Sequence, residues 1–251
     1  MFIKGEIMAK SILEIKEEMI TLLNCVKVKK LNTNLKQFIK YIFPNIKEND
    51  FVRCENYNGN KIDLIIIFKN ERKYISLLKE GLCCVYKDRV KKLASFLWSI
   101  GVSTNAILAI LAYHYADGTY DGSGENIAFG ELLSFIYKKE IEVVNNEFKN
   151  IEILLKLINH LLFLEKSGKS VDYFYVGDVR KGVFISQEEL KFQILNHKDN
   201  YKHKFMRIGI FNFMPLKREV CNYNDSYDSK HRCILRINLM KYIKKTRETP
   251  C

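Results

Sequence analysis

FVRCENYNGNKIDLIIIFKNERKYISLLKEGLCCVYKDRVKK, from Phe51 to Lys92, holds three apolar runs parted by turn residues. FVRCENY (51–57) and KIDLIIIF (61–68) are apolar runs parted by Asn58, Gly59 and Asn60, a turn cluster of the kind that joins hairpin strands. KYISLLK (73–79) follows Lys69-Asn70-Glu71-Arg72 as a third strand. Side chains alternate along a strand, so Asp63, Ile65 and Ile67 share one face, and Lys73, Ile75, Leu77 and Lys79 share one face of the next strand. In an ordinary hairpin register Asp63 and Lys79 fall on the same side. An aspartate and a lysine so placed can hold a metal ion and orient a water.

Helices predicted over Ser11–Cys25 and Leu35–Ile42 precede these strands, and another is predicted from about Tyr86. This order resembles the PD-(D/E)XK nuclease superfamily, especially its restriction-endonuclease-like branch, over roughly residues 11 to 100. The resemblance implies that Asp63 binds a divalent cation, expected to be Mg²⁺, and that Lys79 orients the attacking water. The position two before Lys79, where the family carries its second acid, is Leu77. Some members place that acid on the following helix, which makes Asp88 the second carboxylate; Glu80 alternates to the opposite face. The implied catalytic set is then Asp63, Lys79 and Asp88, with Asp63 and Asp88 as the metal ligands, since hard cations of this type take at least one or two carboxylates. Each residue also has an ordinary reading. Asp63 suits a turn, Lys79 protects a strand end, and Asp88 favours the first turn of a helix.

The chain has 251 residues, enough for a sizeable core, and only three prolines, Pro44, Pro215 and Pro250. No Gly-, Ser- or Pro-rich linker divides it, so a single domain over 1–251 is expected. Its fold class reads as α+β with an α/β-like nuclease core: a mixed central sheet flanked by helices, drawn from about 11–100 and 171–245, with a helical insertion over about 103–167.

The net charge is +12 and it is clustered. Residues 201–251 carry 12 basic and 4 acidic side chains, residues 51–100 carry 10 and 5, and residues 101–150 carry 3 and 7. That is the electrostatic footprint of a nucleic-acid binder, because phosphate contacts release counterions and supply much of the affinity. Lys217, Arg218, Lys230, Arg232 and Arg236 are the candidate contacts, with DNA as the expected partner. General solubility in a Lys- and Asn-rich composition is the competing reading. Between Arg218 and Arg232, CNYNDSYDSKHR (221–232) has the residue types that read base edges.

Seven cysteines without a C-x-x-C pair read as reduced thiols of a cytoplasmic protein; Cys221, His231 and Cys233 lack the second pair that a zinc site needs. The N-terminus has no long apolar segment of the signal-peptide kind. Leu93 to Ala116 is free of Asp, Glu, Lys and Arg and long enough to span a bilayer, but Gly101-Val102-Ser103 divides it, and two buried helices explain it better than a membrane span. Asp117, Asp121 and His114 sit in an Asp- and Gly-rich loop whose turn chemistry accounts for its composition without a metal. Glu131–Glu165 reads as helix, with a bend near Asn145, Asn146 and Asn150. VDYFYVG (171–177), GVFIS (182–186), FMRIGIFNFMPLKR (205–218) and RCILRINLM (232–240) read as strands, and Ser186 with Glu189 forms a capping box for a helix over Gln187–Asn196.

No P-loop, G-x-G-x-x-G or G-x-S-x-G occurs, so nucleotide-driven chemistry and serine hydrolysis lack support. The expected function is an Mg²⁺-dependent DNA endonuclease of restriction type that hydrolyses phosphodiester bonds, with room for a homodimer. The alternative is a degenerate nuclease fold, a nucleic-acid-binding or accessory protein of a mobile element, which Leu77 favours.

Overall fold

The computed structural model describes residues 11–125, 130–197, 205–216 and 230–243. The fold is α+β, with helices against a mixed sheet, and the chain divides into two compact units. The first comprises 1–81, 163–193 and 239–251, and the second 82–162 and 194–238. The second is wider than the helical segment 103–167, because it takes four strands with it.

In the first unit, α1 (Ile12–Cys25) starts at Ser11, whose hydroxyl accepts from the Glu14 amide while the Glu14 carboxylate returns to the Ser11 amide. Apolar side chains at helical spacing, Ile15, Met19 and Leu23, form its buried stripe. Helix α2 (Thr33–Ile42), capped by Asn32, buries Leu35, Phe38, Ile39 and Ile42. Both stripes pack on one face of a five-stranded sheet in the order β1 (Arg53–Asn56), β2 (Leu64–Phe68), β3 (Glu71–Leu78), β5 (Tyr173–Val176), β6 (Val183–Ser186). Leu64, Ile66, Ile75, Leu77 and Tyr175 supply that face. Only the β3–β5 pair is parallel. The capping box at Ser186 and Glu189 is present and opens α8 (Gln187–Asn196).

The second unit contains the sheet β4 (Leu82–Arg89), β9 (Arg232–Asn238), β8 (Phe211–Pro215), β7 (Arg207–Ile208), antiparallel throughout. Two expectations are corrected here. The helix predicted from about Tyr86 begins at Val90 instead, because Leu82–Arg89 pairs along its whole length with β9. The single strand predicted over 205–218 is a short hairpin, turned at Gly209, whose φ of 60° falls in the left-handed region. Helices α3 (Val90–Ser99) and α4 (Thr104–Tyr115) divide the uncharged stretch as predicted, and Ser103 caps α4. Helices α5 (Gly130–Ile136), α6 (Lys138–Glu147) and α7 (Ile151–Ile158) follow, with Asn150 capping α7 at the expected bend. No described helix is long and apolar enough to cross a membrane.

Candidate nucleic-acid interface

Asp63 stands immediately before β2, where the β2–β3 ladder is irregular. Leu64 lies opposite Ile75, yet the Asp63 amide also donates to the Ile75 carbonyl at 2.9 Å, so two residues face one. Beyond this bulge the backbone no longer supplies an acceptor, and the Asp63 carboxylate takes its place: Oδ2 accepts from the Leu77 amide at 2.7 Å. Burial raises the pKa of Asp63, and nearby Glu165 adds to the rise, against the Leu77 amide and Lys16, which lower it. Protonation is therefore easier in the folded chain. The destabilisation from the ionised carboxylate is present at neutral pH and is relieved as pH falls through the raised pKa.

This fixes an expected pair of outcomes. Asp63→Ala leaves the Leu77 amide unsatisfied and costs about 1–3 kcal/mol in urea denaturation. Asp63→Asn keeps an acceptor and removes the charge, so it melts at or above the wild-type temperature at pH 7, with the gain shrinking at acid pH. A loss of stability in the Asn variant equal to that in the Ala variant contradicts this reading.

The carboxylate thus lies against the end of β3, bonded two residues before Lys79, which is exposed just past the strand. Leu77 itself is 2% exposed and part of the core formed with α1 and α2. Glu165, which belongs to no motif of the sequence, is buried and accepts from the amides of Lys61 and Lys166 at 2.8 and 3.0 Å. Burial opposes its ionisation, but these amides outweigh that and lower its pKa. It clamps the turn that leads into Asp63.

Asp88, expected on a helix, is the penultimate residue of β4 and belongs to the second unit, whereas Asp63 and Lys79 belong to the first. It pairs opposite buried Cys233. Its carboxylate accepts from Lys92 Nζ at 2.9 Å and from the Arg89 amide at 2.7 Å, which lower its pKa. Magnesium needs several oxygen ligands in a nearly octahedral shell. In the first unit, Asp63 has one oxygen bonded to an amide, Leu77 offers none, and Glu165 is held by amides. Among the described residues no group of three or more His, Cys, Asp or Glu could hold a metal ion.

The basic residues of the second unit form a different pattern. Along β9, Cys233, Leu235 and Ile237 are buried, so Arg232, Ile234, Arg236 and Asn238 take the opposite face. A bulge between Cys84 and Tyr86 reverses the alternation of β4 and brings Leu82, Cys84, Lys87 and Arg89 onto that same face. Asn212 and Met214 of β8 complete it. Leu82 and Met214 are 57% and 42% exposed, which marks this as the solvent side, while Ile234 at the centre of the face is 8% exposed. Lys87, Arg89, Arg232 and Arg236 place four cations there, and none of these ten residues is acidic. Arg89 stands directly opposite Arg232. Asp88, next to Arg89 in sequence, feels the Arg232 charge, which helps to lower its pKa.

Of the candidate contacts read from sequence, Arg232 and Arg236 are on this face, and Lys217 and Arg218 lie outside the described residues. Lys230 is engaged locally: its Nζ donates to the Gly122 carbonyl at 2.5 Å and stands 3.6 Å from the buried Asp117 carboxylate. His114 Nε2 is 3.0 Å from the Lys230 carbonyl, and the Tyr115 hydroxyl is 2.9 Å from His231 Nδ1. Together they tie the start of β9 to the loop that follows α4. The Asp- and Gly-rich loop therefore serves to hold Arg232 in place. Lys87 and Arg89 are not legible as sheet residues in the sequence, because the segment from Tyr86 reads as a helix start and the bulge has no signature in residue types.

No family model matches the chain, and no curated protein matches it. Among solved structures it is similar to the restriction endonuclease MspI in complex with its cognate DNA, at 11% identity and a TM-score of 0.44, over 88% of this chain and 87% of that one.

Proposed function

We propose that this protein binds nucleic acid through the solvent face of the four-stranded sheet, with Lys87, Arg89, Arg232 and Arg236 contacting phosphates. The observation that carries the reading is the registered row of cations without an acid among them, on strands held rigid by a buried opposite face. A polyanion laid across the face meets four cations and no carboxylate among the ten residues that line it. Contacts of this kind position the ligand without selecting its sequence. Charge reversal tests the proposal: Arg89→Glu abolishes retention of a mixed-sequence DNA duplex on a gel while the circular dichroism spectrum is unchanged. Undiminished retention contradicts it.

A second reading, phosphodiester hydrolysis dependent on Mg²⁺, is favoured by the desolvated Asp63 carboxylate at the end of the strand that leads to Lys79. It requires an acid that Leu77 does not supply, and the resemblance noted in the sequence assigns that role to Asp88. The proposed binding function predicts that the purified chain leaves a mixed-sequence plasmid intact with Mg²⁺. Cleavage that Asp88→Asn abolishes, with DNA binding in Ca²⁺ preserved, would establish the second reading instead.

A further inference from the structure

The free end of the β2–β3 hairpin, in the first unit, carries a separate set of cations. In the ladder Arg53 pairs with Ile67, and Ile67 pairs with Arg72, so the two arginines flank one apolar residue on the same side of the sheet. Adjacent strands lie about 4.8 Å apart, which places their Cα atoms about 10 Å from one another. Lys69 closes the hairpin beside them. An open pocket of about 450 Å³ lies between Arg53, Ile67, Lys69, Arg72 and the half-exposed Phe51.

Lys69 has a φ of 54°, a left-handed conformation that bulky side chains rarely adopt. A two-residue hairpin turn of this type favours Gly, Asn or Asp there. The Lys69 side chain lines the pocket, and its ammonium rests over the Phe68 ring, 5.2 Å from the centroid. Among the described residues Arg72 and Lys69 form no ion pair, and Arg53 is joined only to Glu55 at 2.7 Å, an exposed pair of the weak kind. The Glu71 carboxylate, at the hairpin end, is bonded to Lys73.

We propose that this pocket binds the phosphate group of a nucleotide, with Arg53, Lys69 and Arg72 as the anion ligands and Ile67 and Phe51 as the apolar floor beneath the base. Two arginines and a lysine lining one pocket from two strands and a turn suit a dianion better than a single backbone phosphodiester. The group comes either from a free nucleotide or from the phosphorylated end of a strand, and the two are separable.

Calorimetric titration of the full chain at low salt, with adenosine 5′-monophosphate, adenosine and inorganic phosphate, tests the pocket directly. The monophosphate binds and adenosine does not. Arg72→Gln and Lys69→Gly each weaken the monophosphate about tenfold, the effect of one lost charge-assisted contact. Lys69→Gly also melts at or above the wild-type temperature, since glycine adopts this φ without strain. That combination, weaker binding in a protein at least as stable, is not expected of a structural lysine. The Arg232→Gln, Arg236→Gln double variant retains monophosphate binding, which separates this site from the sheet face. In that background a 5′-phosphorylated single-stranded 12-mer is compared with its 5′-hydroxyl counterpart. Tighter binding of the phosphorylated 12-mer than of the monophosphate assigns the pocket to strand ends, and the reverse assigns it to free nucleotides. No binding of any phosphate probe, or equal affinity in wild type, Arg72→Gln and Lys69→Gly, overturns the proposal.

Discussion

Replacing Arg232 and Arg236 together by glutamine is expected to weaken duplex binding about a hundredfold at low salt. Each guanidinium supplies one charge-assisted contact to phosphate, taken at about 1.5 kcal/mol, and two such losses give that factor. Both side chains lie half-buried along the sheet with their stems against it, on a strand whose other face is fully buried. Glutamine keeps much of the stem and removes the charge, so thermal stability is expected to change little. The salt dependence should change as well: the slope of log affinity against log salt falls by about two units, one for each phosphate contact removed. Fluorescence polarisation on a labelled mixed-sequence duplex measures both quantities. An affinity within twofold of wild type would place the binding surface elsewhere.

Leu77→Asp is expected to cost more than about 4 kcal/mol and to leave the first unit unfolded. The substitution restores the acid that the nuclease family carries two residues before its lysine. Here, though, the side chain at 77 is 2% exposed and packs among Leu64, Ile66, Ile75 and the stripes of α1 and α2. A carboxylate in that setting finds no partner, and the cost of burying an isolated charge exceeds what a single domain can lose. Leu77→Met, which keeps the volume, should cost less than about 1.5 kcal/mol. Urea denaturation followed by circular dichroism distinguishes the two. A folded Leu77→Asp protein that acquires Mg²⁺-dependent cleavage would show that position 77 reaches a catalytic site after all.

Much of the first unit was legible because its signals are local. Ser11 with Glu14, and Ser186 with Glu189, are capping boxes visible as residue types at fixed spacing, and both form. The run from Leu64 to Phe68 is apolar at every position, as expected of a strand covered on both sides. Gly101 and Ser103 divided the uncharged stretch correctly for the same reason. What sequence could not yield depends on long-range pairing. Leu82–Arg89 reads ambiguously alone and becomes a strand through β9, some 150 residues later in the chain. The Cys84–Tyr86 bulge then decides which of its residues face solvent, and so whether Lys87 and Arg89 join Arg232 and Arg236. Asp63 reads from sequence as a metal ligand or as a turn residue. Its carboxylate turned out to be committed to the Leu77 amide, a use that follows from a second bulge with no signature in residue types.

Binding by the sheet face is tested by the affinity of the unmodified chain for a mixed-sequence DNA duplex between 50 and 200 mM salt, in EDTA, with no divalent cation. Four phosphate contacts from Lys87, Arg89, Arg232 and Arg236 predict that log affinity falls linearly with log salt, with a slope of about −4. A flat line over that range, or binding that appears only when Mg²⁺ is added, would contradict the account.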